Sequence, residues 1–163
     1  MNVLKFFKDI LNKRERIDLD LTELPSRGLF YKDDMKITMS KCSMNDIALY
    51  EKIYNPDDLI VILNLMRYII KNCLSFNKKY SYKDLKSSDV VFIFFKIVKY
   101  TTNKKINIPF FDEKISEVNS VEFGSDTFNY FDYSSYMDKY DKETKEILLD
   151  GYRLSLPTIG AEE

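Results

Sequence analysis

The stretch Asp89-Val90-Val91-Phe92-Ile93-Phe94-Phe95-Lys96-Ile97-Val98-Lys99-Tyr100-Thr101 decides how the rest of the chain is read. Its β-branched and aromatic residues suit a buried strand. Its length and the Ser88 ahead of it suit a helix with a capped start. Length and cap favour the helix, so 89–101 is predicted to be the most buried element of the chain. A turn at Asn103 follows.

Upstream, two further helices are predicted. Ser43 with Asp46 three residues later is a start of the capping-box kind, with Asp in place of Glu, and opens a helix over 44–54. Asn55-Pro56-Asp57-Asp58 is a second start: Asn55 can cap, Pro56 suits the first helical position, and the acids favour the positive end of the dipole. That helix runs to about Leu74. Its wide apolar face (Leu59, Ile60, Leu63, Met66, Tyr68, Ile70, Cys73) places it in the centre of the core. Ser81-Tyr82-Lys83-Asp84 and Ser87-Ser88-Asp89 punctuate the stretch between it and the buried helix.

Nearer the N-terminus, 36–40 alternates as a short strand, and 17–23 alternates as an extended segment with Ile17, Leu19 and Leu21 on one side. Between them, Leu24-Pro25-Ser26-Arg27-Gly28-Leu29-Phe30-Tyr31 is a tight turn. Pro25 fixes φ, Gly28 permits a positive φ, and an aromatic pair closes it. Residues 3–12 carry Val3, Leu4, Phe7, Ile10 and Leu11 at helical spacing. A short basic amphipathic helix of this kind packs on its domain or a partner, or lies on a membrane surface. Its shortness and the acidity of the whole chain favour packing.

From Lys105 the texture changes to short alternations over 106–111 and 115–123, with turn residues at Gly124-Ser125-Asp126. Residues 128–140 hold six aromatics: Phe128, Tyr130, Phe131, Tyr133, Tyr136 and Tyr140. Asp150-Gly151 is a hairpin turn between 146–149 and 152–156. The expected fold is α+β: a helical centre of about three helices, a small antiparallel β element and an N-terminal amphipathic helix. The expected organisation is an arm over 1–16, a strand, turn and helical core over 17–104, and a β-rich element over 105–163 packed on that core.

Composition bounds the function. The chain has 163 residues, 45% hydrophobic and 31% charged, with a net charge of −1 and a pI near 5.7. A nucleic-acid binder usually carries a basic surplus, which this chain lacks overall. Histidine is absent, which removes the commonest general base and the commonest metal ligand. Cys42 and Cys73 form no CxxC pair, so they read as two reduced, partly buried thiols, with a disulfide left open. No secretory signal is convincing, and the longest apolar stretch, 59–74, is broken by Asn64, Arg67, Lys71 and Asn72, so no membrane span is expected. The acid pairs Asp33-Asp34, Asp57-Asp58 and Asp112-Glu113 sit at helix starts and turns. No P-loop, dinucleotide pattern or nucleophile elbow is present. The expectation is a protein without catalytic residues, metal or cofactor.

The aromatic run 128–140 has two open readings. It forms a Tyr-rich protein interface, or half of its rings fill a small β core. Base stacking fits less well, because Lys139 is the one cation within it, beside Asp132 and Asp138.

Residues 24–31, followed by a short strand and a capped helix, resemble the opening of the T-even-type phage baseplate hub assembly proteins, which begin with an L-P-S-x-G-x-x-Y turn. Leu154-Ser155-Leu156-Pro157-Thr158-Ile159-Gly160 is similar to the second landmark of that family, a strand ending in a Leu-Pro turn with a nearby Gly. The apolar helix 89–101 sits where the family has a buried helix with an aromatic close. The resemblance covers most of 19–160, in order. Some relatives carry Cys pairs after the buried helix, suggestive of a metal knuckle. Residues 106–124 hold no cysteine, so packing is expected to replace metal there. Relatives also tend to continue into another helical part, expected here to be absent or on a separate chain.

The resemblance implies a non-enzymatic protein–protein interaction protein of bacteriophage tail baseplate assembly, as an assembly chaperone or a minor structural subunit. Its partners would be other tail and baseplate proteins, with self-association allowed for. Its place would be the host cytoplasm during assembly, and the virion baseplate if it stays. A phage-encoded regulator that binds a host protein or nucleic acid is the alternative. The candidate binding residues are Leu24, Pro25, Gly28, Phe30 and Tyr31 in the first turn, Tyr130, Tyr133 and Tyr136 in the aromatic run, and Leu156, Pro157 and Gly160 in the last turn.

Overall fold

A computed structural model of the chain describes residues 15–53, 59–112, 117–124 and 132–162. In chain order the elements are β1 (Arg16–Asp18), β2 (Ile37–Ser40), α1 (Met44–Ile53), α2 (Leu59–Cys73), β3 (Leu74–Phe76), α3 (Val90–Thr102), β4 (Asn107–Asp112), β5 (Glu117–Glu122), β6 (Tyr140–Asp141), β7 (Glu146–Leu149), β8 (Tyr152–Leu154) and α4 (Ile159–Glu162). Short 3-10 turns occupy Leu21–Glu23, Tyr82–Asp84, Ser87–Asp89 and Ser134–Lys139. The fold is mixed α+β, with helices and small antiparallel sheets. The amphipathic segment 3–12, the helix start Asn55-Pro56-Asp57-Asp58 and Tyr130 lie outside the described residues.

The stretch that reads two ways is a helix. Val90, Phe92, Ile93, Phe94, Ile97 and Val98 of α3 are buried, which at ~1.5–3 kcal/mol per side chain is a gross transfer term on the order of 10–15 kcal/mol. Asn103 ends it in the left-handed conformation (φ 52°, ψ 33°), its N–H donating to the Lys99 carbonyl at 2.9 Å. The start differs from the expected Ser88 cap. The 3-10 turn Ser87–Asp89 runs straight into α3, and Asp89, at the cap position, is itself helical and gives no side-chain cap. Its carboxylate points across the molecule instead.

Of the face predicted for α2, Met66, Ile70 and Cys73 are buried, joined by Ile69 and, in part, Ile62. Residues 62, 66, 69, 70 and 73 form a narrow helical stripe. Ile60 is 68% exposed, and Val61, Leu63 and Tyr68 are exposed too. The wide face is thus a buried stripe plus apolar residues left exposed, most of them toward the start of the helix. The central position belongs to α3. The capping box at α1 forms as read: Asp46 Oδ2 accepts from Ser43 N–H at 2.7 Å, and Asp46 N–H donates to Ser43 Oγ at 3.2 Å.

β2 is the middle strand of a three-stranded sheet, with the order β1-β2-β3. Ile37, Met39 and Ser40 are buried in it. The predicted extended segment 17–23 is strand only at Arg16–Asp18, because Asp20 then accepts from Thr22 N–H at 2.9 Å and caps the 3-10 turn Leu21–Glu23. The β-rich part after α3 consists of two sheets. One is the β4–β5 hairpin, whose foot docks on α3 through Phe123, 4.9 Å from the Phe92 ring. The other is β6-β7-β8. Its second turn is Asp150-Gly151 as read, with φ of 49° and 83°, the pair of positive values that a tight hairpin requires.

Candidate interaction surface

The turn over 24–31 is held from inside. Its Ser26 N–H and Oγ donate to Asp89 Oδ1 and Oδ2 at 2.8 and 2.7 Å, and Tyr31 OH donates to Asp89 Oδ2 at 2.7 Å. The Tyr31 oxygen also accepts the Lys86 backbone N–H at 2.9 Å. Ser26 and Asp89 are 0% exposed and Tyr31 is 3% exposed. Burial raises the carboxyl pKa of Asp89, with the Ser26 and Tyr31 donors pulling the other way. Burial also pushes the Tyr31 hydroxyl well up, aided by the charge of Asp89. The Ser26, Tyr31 and Asp89 side chains bond to one another in the interior, and Lys86 joins them through its backbone N–H alone, so the cluster braces the turn against the start of α3.

The last turn arrives at the same place. Ser87 N–H donates to the Pro157 carbonyl at 3.0 Å, and Ile159 N–H donates to the Leu85 carbonyl at 2.9 Å. Lys86 Nζ lies 3.3 Å from the Leu156 carbonyl, and burial lowers the Lys86 pKa. Gly160 sits so close to Lys83 that an added Cβ would stand 3.0 Å from the Lys83 Cβ. The two landmarks, far apart in sequence, therefore meet on residues 83–89.

On its outer side, the first turn carries the C-terminal sheet. The Phe30 ring meets Tyr133 edge-on at 5.5 Å and Tyr140 at 6.1 Å. Tyr140 OH donates to the Leu29 carbonyl. Lys32 Nζ donates to the Thr144 carbonyl at 2.9 Å, and Lys145 pairs with Asp33 at 2.6 Å. Tyr133 is half-buried, and loss of water there raises its pKa to about 12.

The register of that sheet separates two faces. Tyr140 is opposite Ile147, Ile147 opposite Leu154, and Leu149 opposite Tyr152. Opposed residues share a face and alternate along each strand. One face is therefore Tyr140, Ile147, Leu149, Tyr152 and Leu154, all apolar or aromatic. The other holds Asp141, Glu146, Leu148 and Arg153, with Arg153 paired to Glu146 at 3.3 Å. Phe30 covers the apolar face at the β6 end. At the β8 end it is open: Tyr152 is 72% exposed and Leu154 46%. β8 is also an edge strand, bonded to β7 alone among the described residues. Nearby, Tyr136 and Met137 are exposed in the 3-10 turn Ser134–Lys139. A hollow of about 300 Å³ lies between that turn and the first one, lined by Arg27, Leu29, Asp132, Tyr133, Ser134 and Met137.

The predicted residues thus fall into three groups. Leu24, Pro25, Phe30 and Tyr31 are buried and their surface is used inside the chain. Gly28, at φ 71°, closes the first turn against Leu21, whose carbonyl O an added Cβ would meet at 3.2 Å. Tyr136, Pro157 and Gly160 are exposed, and Tyr133 and Leu156 are half-buried. Tyr152 and Leu154 lie outside the predicted set: the turn residues Asp150-Gly151 locate the hairpin but carry no sign of which side of it stays open. Among the described residues no group of three or more Cys, Asp or Glu stands close enough to hold a metal ion. No helix of the described residues is long and apolar enough to cross a membrane. Comparison of the chain with protein-family models, with curated proteins and with solved structures returned no match.

Proposed function

We propose that this chain is a non-enzymatic protein–protein interaction protein of bacteriophage tail baseplate assembly, acting as an assembly chaperone or a minor structural subunit, and that its partner docks on β8 and the open apolar face beside it. The observation that carries the docking surface is the exposure of Tyr152 and Leu154 on an edge strand. An edge offers unpaired backbone groups to an added strand, and alternate side chains then confer specificity. A tyrosine at such a place adds contact area at low entropy cost. The phage assignment rests on the resemblance of residues 24–31 and 154–160 to the baseplate hub assembly proteins.

Two experiments test the two parts separately. Quantitative peptide mass spectrometry on purified virions and on tail-assembly intermediates tests the role. Peptides in intermediates alone fit a chaperone, a small fixed copy number in both fits a subunit, and absence from both refutes the baseplate reading. Co-purification of tail proteins with wild type and with Tyr152→Ser/Leu154→Ser tests the surface. The double variant is expected to keep its thermal midpoint and lose its partner. Unchanged partner recovery places the contact elsewhere. Retention on DNA or RNA that falls with added salt would favour a regulator.

A further inference from the structure

Two thiols that are 31 positions apart in sequence meet in space: Cys42 Sγ and Cys73 Sγ are 3.7 Å apart. The meeting is built by the fold. Met39 of β2 pairs with Leu74 of β3, so the strand end before Cys42 and the helix end at Cys73 lie side by side. Ser40 Oγ donates to the Cys73 carbonyl at 3.2 Å, which fastens one side. Cys42 N–H donates to Thr101 Oγ1 of α3 at 2.9 Å, which fastens the other. Cys73 is buried and Cys42 is half-buried, so Cys42 is the more open of the two residues to a reagent.

We propose that Cys42 and Cys73 are a dithiol site that is oxidised by a low-molecular-weight disulfide to an intramolecular Cys42–Cys73 disulfide. In the first step the Cys42 thiolate attacks one sulfur of the small disulfide. The S–S bond breaks, one small thiol leaves with a proton, and a mixed disulfide stands on Cys42. In the second step the Cys73 thiolate attacks Cys42 Sγ and expels the second small thiol. The balance is one protein dithiol and one small disulfide to one protein disulfide and two small thiols. The sulfurs need to close from 3.7 Å to about 2.0 Å, a movement within reach of side-chain rotation and a small backbone shift. The bond closes a loop that contains both α1 and α2. A cross-link of that span is expected to raise the thermal midpoint by on the order of 5–15 °C.

The test is incubation of the full chain with oxidised glutathione at mildly alkaline pH, read by intact mass and by a non-reducing peptide map. Wild type is expected to lose two hydrogens, to carry no adduct and to link the Cys42 and Cys73 peptides. Cys73→Ser is expected to stop at a stable glutathione adduct on Cys42. Cys42→Ser is expected to react far more slowly than wild type, because Cys73 is shielded. A persistent adduct on wild type, a disulfide between two chains, or thiols that react only after denaturation would each refute the site. Circular dichroism of the serine variants separates a folding defect from a chemical one.

Discussion

Tyr31→Phe removes one oxygen from the interior and leaves no cavity, so its cost isolates the polar junction that holds the first turn. Two bonds are lost. The first is the donation of Tyr31 OH to the Asp89 carboxylate at 2.7 Å, a bond to a charged acceptor worth about 1.5–3 kcal/mol. The second is the acceptance of the Lys86 backbone N–H at 2.9 Å, whose burial without an acceptor costs about 1–3 kcal/mol. Together they predict a loss of about 2.5–6 kcal/mol, a large part of the ~5–15 kcal/mol that a domain has. Urea unfolding measures it: the midpoint should fall with the slope unchanged, since the surface exposed on unfolding is the same. In a scan the midpoint should drop by roughly 5–15 °C. Because Ser26 and Tyr31 share one carboxylate, Ser26→Ala and Tyr31→Phe should be non-additive by about 0.5–3 kcal/mol. A loss under about 0.5 kcal/mol, the level of an ordinary surface change, would refute the bracing role of this junction.

Other consequences follow from the same structure. The pKa of Asp89 is raised by burial in the folded state, so its contribution to stability is full below the unfolded carboxylate pKa of about 3.9 and is lost as pH climbs through the raised value. The stability gap between wild type and Asp89→Asn, which cannot ionise, should therefore shift against wild type as pH rises through that window; a pH-independent gap contradicts it. Gly28→Ala should cost about 1–2 kcal/mol, because alanine is strained at φ 71° and its Cβ would press on Leu21. Gly124→Ala, with open space around the added Cβ, is the matched control and should stay within about 0.5 kcal/mol. Ser43→Ala should cost about 1 kcal/mol through loss of the α1 cap, measured by thermal unfolding.

The elements whose signals are local were legible in the sequence. The capping box at Ser43 and Asp46 forms within one turn of chain, and Asp150-Gly151 needs only its own two positive φ values. Helix length overruled β-propensity at α3 because six buried side chains repeat at helical spacing. The convergence of the two landmark turns was not legible, since Ser26 and Tyr31 reach Asp89 across 63 and 58 positions. Asp89 itself read as helix punctuation, because nothing near it in the chain announces an internal partner.

By itself, then, the sequence determined α1, the apolar helices α2 and α3 and the Asp150-Gly151 hairpin turn, since each depends on backbone preferences and spacing over a few residues. Only the tertiary structure decided which of those apolar surfaces are covered. Periodicity shows that a face is apolar, but the layer that covers it comes from elsewhere in the chain. Met66, Ile69 and Ile70 of α2 are buried, while Ile60 and Val61 on the same helix are exposed. Phe30 covers Tyr140 and stops short of Tyr152. The contact between Cys42 and Cys73 has the same origin, set by the pairing of β2 with β3 and by no spacing that the chain displays.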